Sequence, residues 1–460
     1  MSEIPPTAES EPTNDLNPGP ETPAPVSPGI QTGERLHRSS LGLALLSGLG
    51  LVLSVLIGLA LFMLGVVDLT RGQAGGAAAS ALISIGWVSL MVAVLQVPSL
   101  VLSIRRLRGG KVVPPEAPVR RGWLAATVSL LLMIPLVALG GLLAPASGAN
   151  SLLFLPPLQL LVVGVPIWWA FETGRRGLKG GTAQRGWGVV SVSTLITMPV
   201  VLVFELVAMI ILGAVVLSFL AAQPQVMREL QNLFQTLSNG SVDPEAISQM
   251  IDPFLKQPGF IFLVVVAGSA LVPLLEEALK PLALWPQVAG RKMTPSQGFT
   301  AGLICGAIFA LLESLFSLSP AMGADWTGVV IGRMGTGLLH VTCSGLVGWG
   351  LALAWRREKY LQLGGLYLSA VFLHGSWNAI SLLGGFSAAI DSSQSGPIVF
   401  LGQYGNLILG FLVVVDLCVL LAANRYLRTH PEQDAGPAAP LPPPEPVYDP
   451  FASYPPANLN

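Results

Sequence analysis

Four short polar motifs interrupt long apolar segments in the second half of the chain. In order they are Glu276-Glu277-x-x-Lys280, Phe309-x-x-x-Glu313, His340 and His374-x-x-x-Asn378. A charged side chain at the centre of a membrane helix costs about 2.5–3.5 kcal/mol on insertion scales, so the motifs are not expected to face lipid. Carboxylates, imidazoles and amides can activate water and stabilise an oxyanion, and the same carboxylate and imidazole groups can bind a divalent metal. The residue types therefore indicate either a hydrolytic centre or a metal site.

Helical spacing decides which of these residues face a common point. Glu276 and Lys280 are four residues apart and share one face of a helix, where the lysine can partly neutralise the carboxylate. Glu277 points about 100° away, because a helix turns once in 3.6 residues. His374 and Asn378, again four apart, project from one side of their helix. One of the two adjacent glutamates is thus expected to face the site directly and the other to orient or pair with it.

A repeat of small residues surrounds the second motif. Gly298, Gly302 and Gly306 recur every four residues, a pattern that lets two membrane helices approach closely. Glu313 lies seven residues after Gly306, so it is expected on the packed face and not on the lipid face. His340 also lies in a glycine-rich stretch, which predicts close neighbours for the third motif.

The composition indicates that these motifs belong to a multi-pass membrane protein. The chain is 52% hydrophobic and 11% charged, with a mean hydropathy of +0.67, whereas soluble domains carry roughly 25% charged residues. Its net charge of −1 gives no indication of nucleic-acid binding. The three cysteines lack Cys-x-x-Cys spacing, so neither a disulfide framework nor a thiolate metal site is predicted. We therefore expect an all-α transmembrane helical bundle.

Apolar runs long enough to cross a bilayer divide the chain into ten predicted helices. They lie at about 41–66, 77–104, 123–143, 151–172, 187–220, 259–287, 297–318, 328–355, 361–384 and 398–422. The predicted regions are a disordered tail (1–38), five membrane helices (39–221), an extracytoplasmic segment (222–257), a catalytic membrane domain (258–424) and a proline-rich disordered tail (425–460).

The basic residues predict the orientation of the bundle. If both termini are cytoplasmic, the cytoplasmic segments contain nineteen of the 24 Lys and Arg residues, as the positive-inside rule requires. The segment 222–257 is then extracytoplasmic, and its apolar residues recur at helical spacing on both sides of Asn239-Gly240. It is interpreted as an amphipathic helical hairpin, with an interfacial connector favoured over a cover for the site.

Three charged residues stand alone in other apolar helices, namely Glu205, Arg333 and Asp416. Each stands alone as a charged residue in its predicted helix. The pattern therefore favours a packing or stability role for all three.

Taken together and in this order, the four motifs resemble those of the PrsW family of intramembrane proteases. That family belongs with the CAAX prenyl proteases and with bacteriocin-processing or self-immunity proteins. The likeness covers about residues 260–385. It implies an endopeptidase of the bacterial plasma membrane that cuts membrane-tethered proteins, anti-sigma factors being the best-known substrate type.

The resemblance also implies roles for the site residues. Glu276 would be the base that activates water, and Glu277 would be its orienting partner. His374 and Asn378 would form the oxyanion pocket, with Lys280 in a supporting position.

The remaining motif residues would serve the water or a metal. Glu313 and His340 would position either one, with Phe309 supporting them. If the site is metallic, zinc is the implied cofactor and His340, His374 and Glu313 are its implied ligands. The prenyl-protease branch has histidine where this chain has Glu313, which argues against CAAX substrates. The choice between metal and glutamate chemistry stays open at this point.

Two other classes of function remain as alternatives. The first is a non-catalytic immunity or scaffold protein that keeps the fold of the superfamily. The second is a transporter in which acids and histidines relay protons. Transporters often contain internal repeats, whereas only one half of this chain carries the motifs, so the transporter is the weaker alternative.

Overall fold

The structure, a computed structural model, describes residues 28–71, 77–110, 120–144, 149–221, 256–286, 293–318, 326–387 and 396–431, together with residues 227, 228, 231, 232, 235 and 434. Most of the two predicted tails and nearly all of the predicted hairpin at 222–257 lie outside the described residues. The division into five regions stays a prediction.

Within the described residues the chain is entirely helical, without a β-strand. Seven of the described helices are continuous: α1 Pro28–Arg71, α2 Ala77–Leu107, α4 Ala149–Gly174, α7 Pro295–Leu318, α8 Trp326–Arg357, α9 Tyr360–Ser387 and α10 Pro397–Thr429. Two more consist of consecutive segments, α3 of Arg120–Leu131 and Met133–Leu143, and α5 of Ala183–Val192, Ser193–Thr197 and Met198–Ala221. Helix α6 has four segments, Pro258–Val266, Ala267–Leu271, Val272–Leu279 and Lys280–Leu284. Nine are long and apolar enough to cross a membrane, and α3, bent by 42°, makes a tenth if its halves form one span. The predicted all-α bundle of about ten transmembrane helices is confirmed.

Helix α8 lies at the centre of the bundle. Its most apolar stretch is 94% buried, whereas the corresponding stretches of α6 and α10 are each 17% buried. A helix enclosed on all sides can carry polar side chains only where neighbouring helices satisfy them. The central position of α8 therefore gives His340 partners on several helices at once.

Glycines bring α7 and α8 into backbone contact. A Cβ atom at Gly302 would meet the carbonyl oxygen of Ser344, and one at Gly306 would meet the carbonyl oxygen of His340. One turn further along, Gly298 faces Gly348 in the same way. The predicted small-residue repeat is thus a seam between two antiparallel helices. It fixes the position of Glu313, on the next turns of α7, relative to α8.

Helix α6 changes its winding twice. Ala267–Leu271 is a π-helical turn, and the helix tightens into a 3₁₀ turn over Lys280–Leu284. Pro281 lacks a backbone N–H and adopts φ −81° and ψ 15°, outside the α-helical region. Glu277 and Lys280 therefore lie where the α-helix ends, and both are buried within the bundle.

Polar contacts join the first helices to this core. The hydroxyl of Ser47 on α1 contacts those of Ser99 on α2 and Ser191 on α5, at 2.9 and 3.0 Å. Ser191 donates in turn to Gln96 Oε1 at 2.7 Å. Near the other edge, Asn424 of α10 donates to the backbone oxygen of Gly174 at the end of α4. These contacts hold α1 and α2 against α5, and α4 against α10.

The predicted orientation leads to an accessibility experiment. In a variant without the native cysteines, Ser241→Cys should react with a membrane-impermeant maleimide added outside intact cells, because it lies in the predicted extracytoplasmic segment. Gly110→Cys, in a predicted cytoplasmic loop, should react only after the membrane is opened. The reverse pattern would show that the bundle is inserted with the opposite orientation.

Candidate active site

The structure brings the four polar motifs together between α6, α7, α8 and α9. Glu276, Glu277, His340 and His374 are all buried, and each offers a ligand atom within 4.8 Å of those of the others. The rings of His340 and His374 stand edge to face with centroids 4.9 Å apart. Residues that are far apart in the sequence therefore form one compact acid–base cluster.

The ammonium group of Lys280 occupies the middle of this cluster. Its Nζ lies 2.6 Å from Glu277 Oε1 and 2.8 Å from Glu276 Oε2. It is also 2.9 Å from His340 Nδ1 and 4.2 Å from the centre of the Phe309 ring. Because the side chain of Lys280 is wholly buried, these contacts replace its hydration, and one cation balances part of the charge of two carboxylates.

Hydrogen bonding to both ring nitrogens defines the tautomer of His340. A lysine ammonium has only donors, so Nδ1 of His340 must accept from Lys280. The other nitrogen, Nε2, lies 2.8 Å from Glu313 Oε2 and donates its proton there. Phe309 packs edge to face against the same imidazole at 5.1 Å. His340 is thus held as a neutral imidazole with its proton on Nε2.

His374 is held in a similar way by a different carboxylate. Its Nδ1 lies 3.0 Å from Glu277 Oε1, an oxygen that can only accept while the carboxylate is ionised, so Nδ1 donates. Its Nε2 is directed towards Glu276 Oε2 at 3.9 Å. The buried Oε2 atom of Glu277 makes no hydrogen bond, whereas that of Glu276 lies 2.8 Å from Lys280 Nζ.

The arrangement fits a divalent cation. Histidine ligands usually present one nitrogen to the metal while a carboxylate accepts a hydrogen bond from the other, and Glu277 and Glu313 do this for His374 and His340. The ligand atoms would then be His374 Nε2, His340 Nδ1 and an oxygen of Glu276. In the structure the Lys280 ammonium is the cation that contacts two of these three atoms. Glu313, which the resemblance implies as a ligand, contacts the far nitrogen of His340 instead.

Two other residues of the fourth motif, Gly375 and Asn378, fix the position of His374 through their contacts with α6. Asn378 donates from Nδ2 to the backbone oxygen of Gly268 at 2.9 Å, inside the π turn of α6. Between the two polar residues, Gly375 touches the backbone oxygen of Ser269, where a Cβ atom would have no room. The described geometry therefore gives Asn378 an anchoring contact between α9 and α6. Its role in an oxyanion pocket stays a prediction.

Two residues that stand alone in their helices also reach the site. Arg333 donates to Glu313 Oε1 at 2.8 Å, and Glu205 of α5 lies within reach of Glu276, with which it can bond only when one of the two carboxyl groups is protonated. The neighbours of Glu205 on either side, Phe204 and Leu206, are 48% and 61% exposed. The sequence pattern assigns both charged residues to packing, because each stands alone as a charge in its helix. Their partners lie on other helices, although the seven-residue spacing of Arg333 and His340 already places these two on one face of α8.

Paired carboxylates and imidazoles inside a polytopic helical bundle are characteristic of enzymes that carry out acid–base chemistry within the membrane. Residues 204–415 match the family model described as PrsW family intramembrane metalloprotease. This region of the chain belongs to that family, and the protein is an intramembrane protease. No match was found among curated proteins or solved structures. The matched region begins within α5 and so includes Glu205.

The close approach of α9 to α6 can be tested with one methyl group. Gly375→Ala should destabilise the protein by about 1–3 kcal/mol, because the added Cβ forces His374 and its helix away from Ser269. The measurement is the thermal unfolding midpoint of purified protein in detergent. Gly365→Ala is the matched control on the same helix, since no atom lies within 4 Å of the position its Cβ would take. Equal midpoints for the two variants would contradict the tight contact.

Proposed function

We propose that the protein is an endopeptidase that hydrolyses peptide bonds of membrane-tethered proteins, with Glu276 as the base that activates water. The observation that supports this role is the position of Glu276 Oε2. It is buried, lies 2.8 Å from Lys280 Nζ and faces His374 Nε2 across 3.9 Å. A water molecule bound near these two atoms would have a proton acceptor on one side and an imidazole on the other.

The proposed reaction contains two proton transfers at Glu276. In the first, the carboxylate accepts a proton from water while the water oxygen bonds to the scissile carbonyl carbon. In the second, the same group returns the proton to the departing amine as the carbon–nitrogen bond breaks. Lys280, 2.8 Å from Glu276 Oε2, supplies a fixed positive charge beside the negative charge that develops. Glu277 keeps the proton of His374 on Nδ1 and so leaves Nε2 directed at the reacting atoms.

Stabilisation of the oxyanion is assigned to Asn378, to the neighbouring ammonium and to His374, whose Nε2 can donate only when the ring carries a proton on both nitrogens. One N–H of Asn378 is already used by Gly268, so only its second N–H is available to a substrate. This makes Asn378 both an anchor and a candidate donor.

Binding of a zinc ion is an alternative use of the same cluster, in which Glu276 would be a ligand and not the base. Zinc favours imidazole and carboxylate ligands, which His340, His374 and Glu276 would provide. When bound, it would supply Lewis-acid polarisation of the scissile carbonyl.

We further propose that the substrates are single-pass membrane proteins of the bacterial plasma membrane, anti-sigma factors being the type suggested by the family.

The site has a more exposed edge at Glu313 and Arg333, whose side chains are 32% and 22% exposed, while Glu276 is 8% exposed. Charged side chains at this depth are costly in lipid. The exposed edge is therefore the proposed entrance for water.

The base role is tested by Glu276→Gln, which keeps the size of the side chain and removes its ability to accept a proton. Cleavage should fall by about 10²–10⁴-fold, the usual contribution of a positioned acid–base group. Membrane proteomes of cells with wild-type or variant protein are compared, and single-pass proteins that stop being trimmed are the candidate substrates.

Glu358→Gln is the matched control, because Glu358 is an exposed glutamate in the turn between α8 and α9. It should trim the same proteins as the wild type. Unchanged trimming by Glu276→Gln, with normal insertion, would remove Glu276 from the base role. Trimming lost in both variants would point to an indirect effect of expression.

The metal assignment predicts a change in composition that is independent of cleavage. Purified protein should carry near-stoichiometric zinc, and His340→Ala and His374→Ala should each lose it, as measured by elemental mass spectrometry. His430→Ala, beyond the end of α10, should retain it. Retention of zinc by both site variants would show that the metal binds elsewhere, and active protein without zinc would favour the glutamate mechanism alone.

A further inference from the structure

We infer that Arg333 is a positioning residue of the active site, which holds Glu313 so that this carboxylate fixes the orientation and tautomer of His340. The inference rests on the proposed function and adds a residue that lies outside all four motifs. It starts from a guanidinium group that bridges α8 and α7 beside the catalytic cluster.

Arg333 donates hydrogen bonds to two side chains on one turn of α7. Its Nη1 donates to Glu313 Oε1 at 2.8 Å, and its Nη2 donates to Ser317 Oγ at 2.6 Å. The hydroxyl of Ser317 is itself fixed, because it donates to the backbone oxygen of Glu313 at 2.9 Å. A planar guanidinium can make both bonds at once, whereas an ammonium is a point charge without this fork geometry. The contact therefore sets an orientation as well as balancing a charge.

The two oxygens of Glu313 are consequently divided between two partners. Oε1 belongs to Arg333, and Oε2 is left facing His340 Nε2 at 2.8 Å. The proton of His340 then stays on Nε2, and Nδ1 points to Lys280 in the cluster. A continuous chain of polar contacts thus runs from Arg333 through Glu313 and His340 to the ammonium.

The burial of these groups explains why an arginine is needed at this point. Glu313 is 32% exposed, whereas its partner His340 is 1% exposed, so the carboxylate stands at the edge of the cluster. A side chain at such an edge can turn towards water unless it is held. Arg333, with 22% exposure, occupies the outer side of the carboxylate and closes off that alternative.

The experiment compares Arg333→Met and Arg333→Lys with the wild type. Arg333→Met should lower kcat by roughly 10- to 100-fold, the usual effect of losing a partner that orients a reacting group, with little change in KM. Arg333→Lys should restore part of the rate, because it can pair with Glu313 without also binding Ser317. Arg356→Met, at the other end of α8, is the control and should cleave at the wild-type rate. Cleavage is measured on a protein whose trimming Glu276→Gln abolishes.

A spectroscopic measurement separates positioning from a merely structural ion pair. The chain has 4 histidines, so the ¹⁵N resonances of His340 can be assigned by their loss in His340→Gln. The wild type and Arg356→Met should show the Nε2–H tautomer, and Arg333→Met should show a mixture of tautomers. An unchanged His340 spectrum together with a wild-type kcat in Arg333→Met would overturn the inference. So would a lower rate that only follows the loss of folded protein. Failure of the proposed function appears separately, as cleavage retained by Glu276→Gln, and leaves the spectroscopic test intact.

Discussion

The rest of the site depends on the burial of one ammonium group between two carboxylates. Lys280 is fully buried, and removing such a charge from water costs several kcal/mol unless its partners replace the lost hydration. Glu276 and Glu277 provide that replacement and are themselves tolerated inside the bundle because of it. The same charges set the orientation of each histidine, because His340 accepts a hydrogen bond from Lys280 and His374 donates one to Glu277. Removing Lys280 would leave both buried carboxylates without their cation, and removing Glu277 would leave His374 Nδ1 without its acceptor.

This network needs accurate placement of four helices, and small residues provide it. At Gly302 and Gly306, α7 lies directly on the backbone of α8, and at Gly375, α9 lies on the backbone of α6. Contacts between backbones allow little sliding, because they lack the flexible side chains that usually adapt to a shift. Glycines therefore lie near the polar residues of α7, α8 and α9 for a physical reason. The glycines determine the separations at which the polar groups can bond.

Much of the fold and part of the site can be predicted from the sequence, because the patterns that indicate them lie within single helices. Apolar length identifies the membrane helices, and four-residue spacing pairs Glu276 with Lys280. Contacts between distant helices carry no such signal. Glu205 and Arg333 each appear as single charges in apolar segments, although they lie beside Glu276 and Glu313 in the structure. In the same way, spacing alone does not show that Asn378 is anchored to a backbone oxygen, since that oxygen is freed by a π turn with no clear mark in the sequence.

The π turn at Ala267–Leu271 also governs which residues of α6 face inwards. Such a turn contains one more residue than an α-helical turn and so rotates everything after it by about 100° relative to what precedes it. The parts of α6 before and after the turn therefore follow different phases of one helix, and each contains buried residues, Ile261 before the turn and Glu277 after it. A deletion of one residue there would leave every motif in the sequence readable while turning the two glutamates out of register, so a match to the motifs alone does not guarantee an assembled centre.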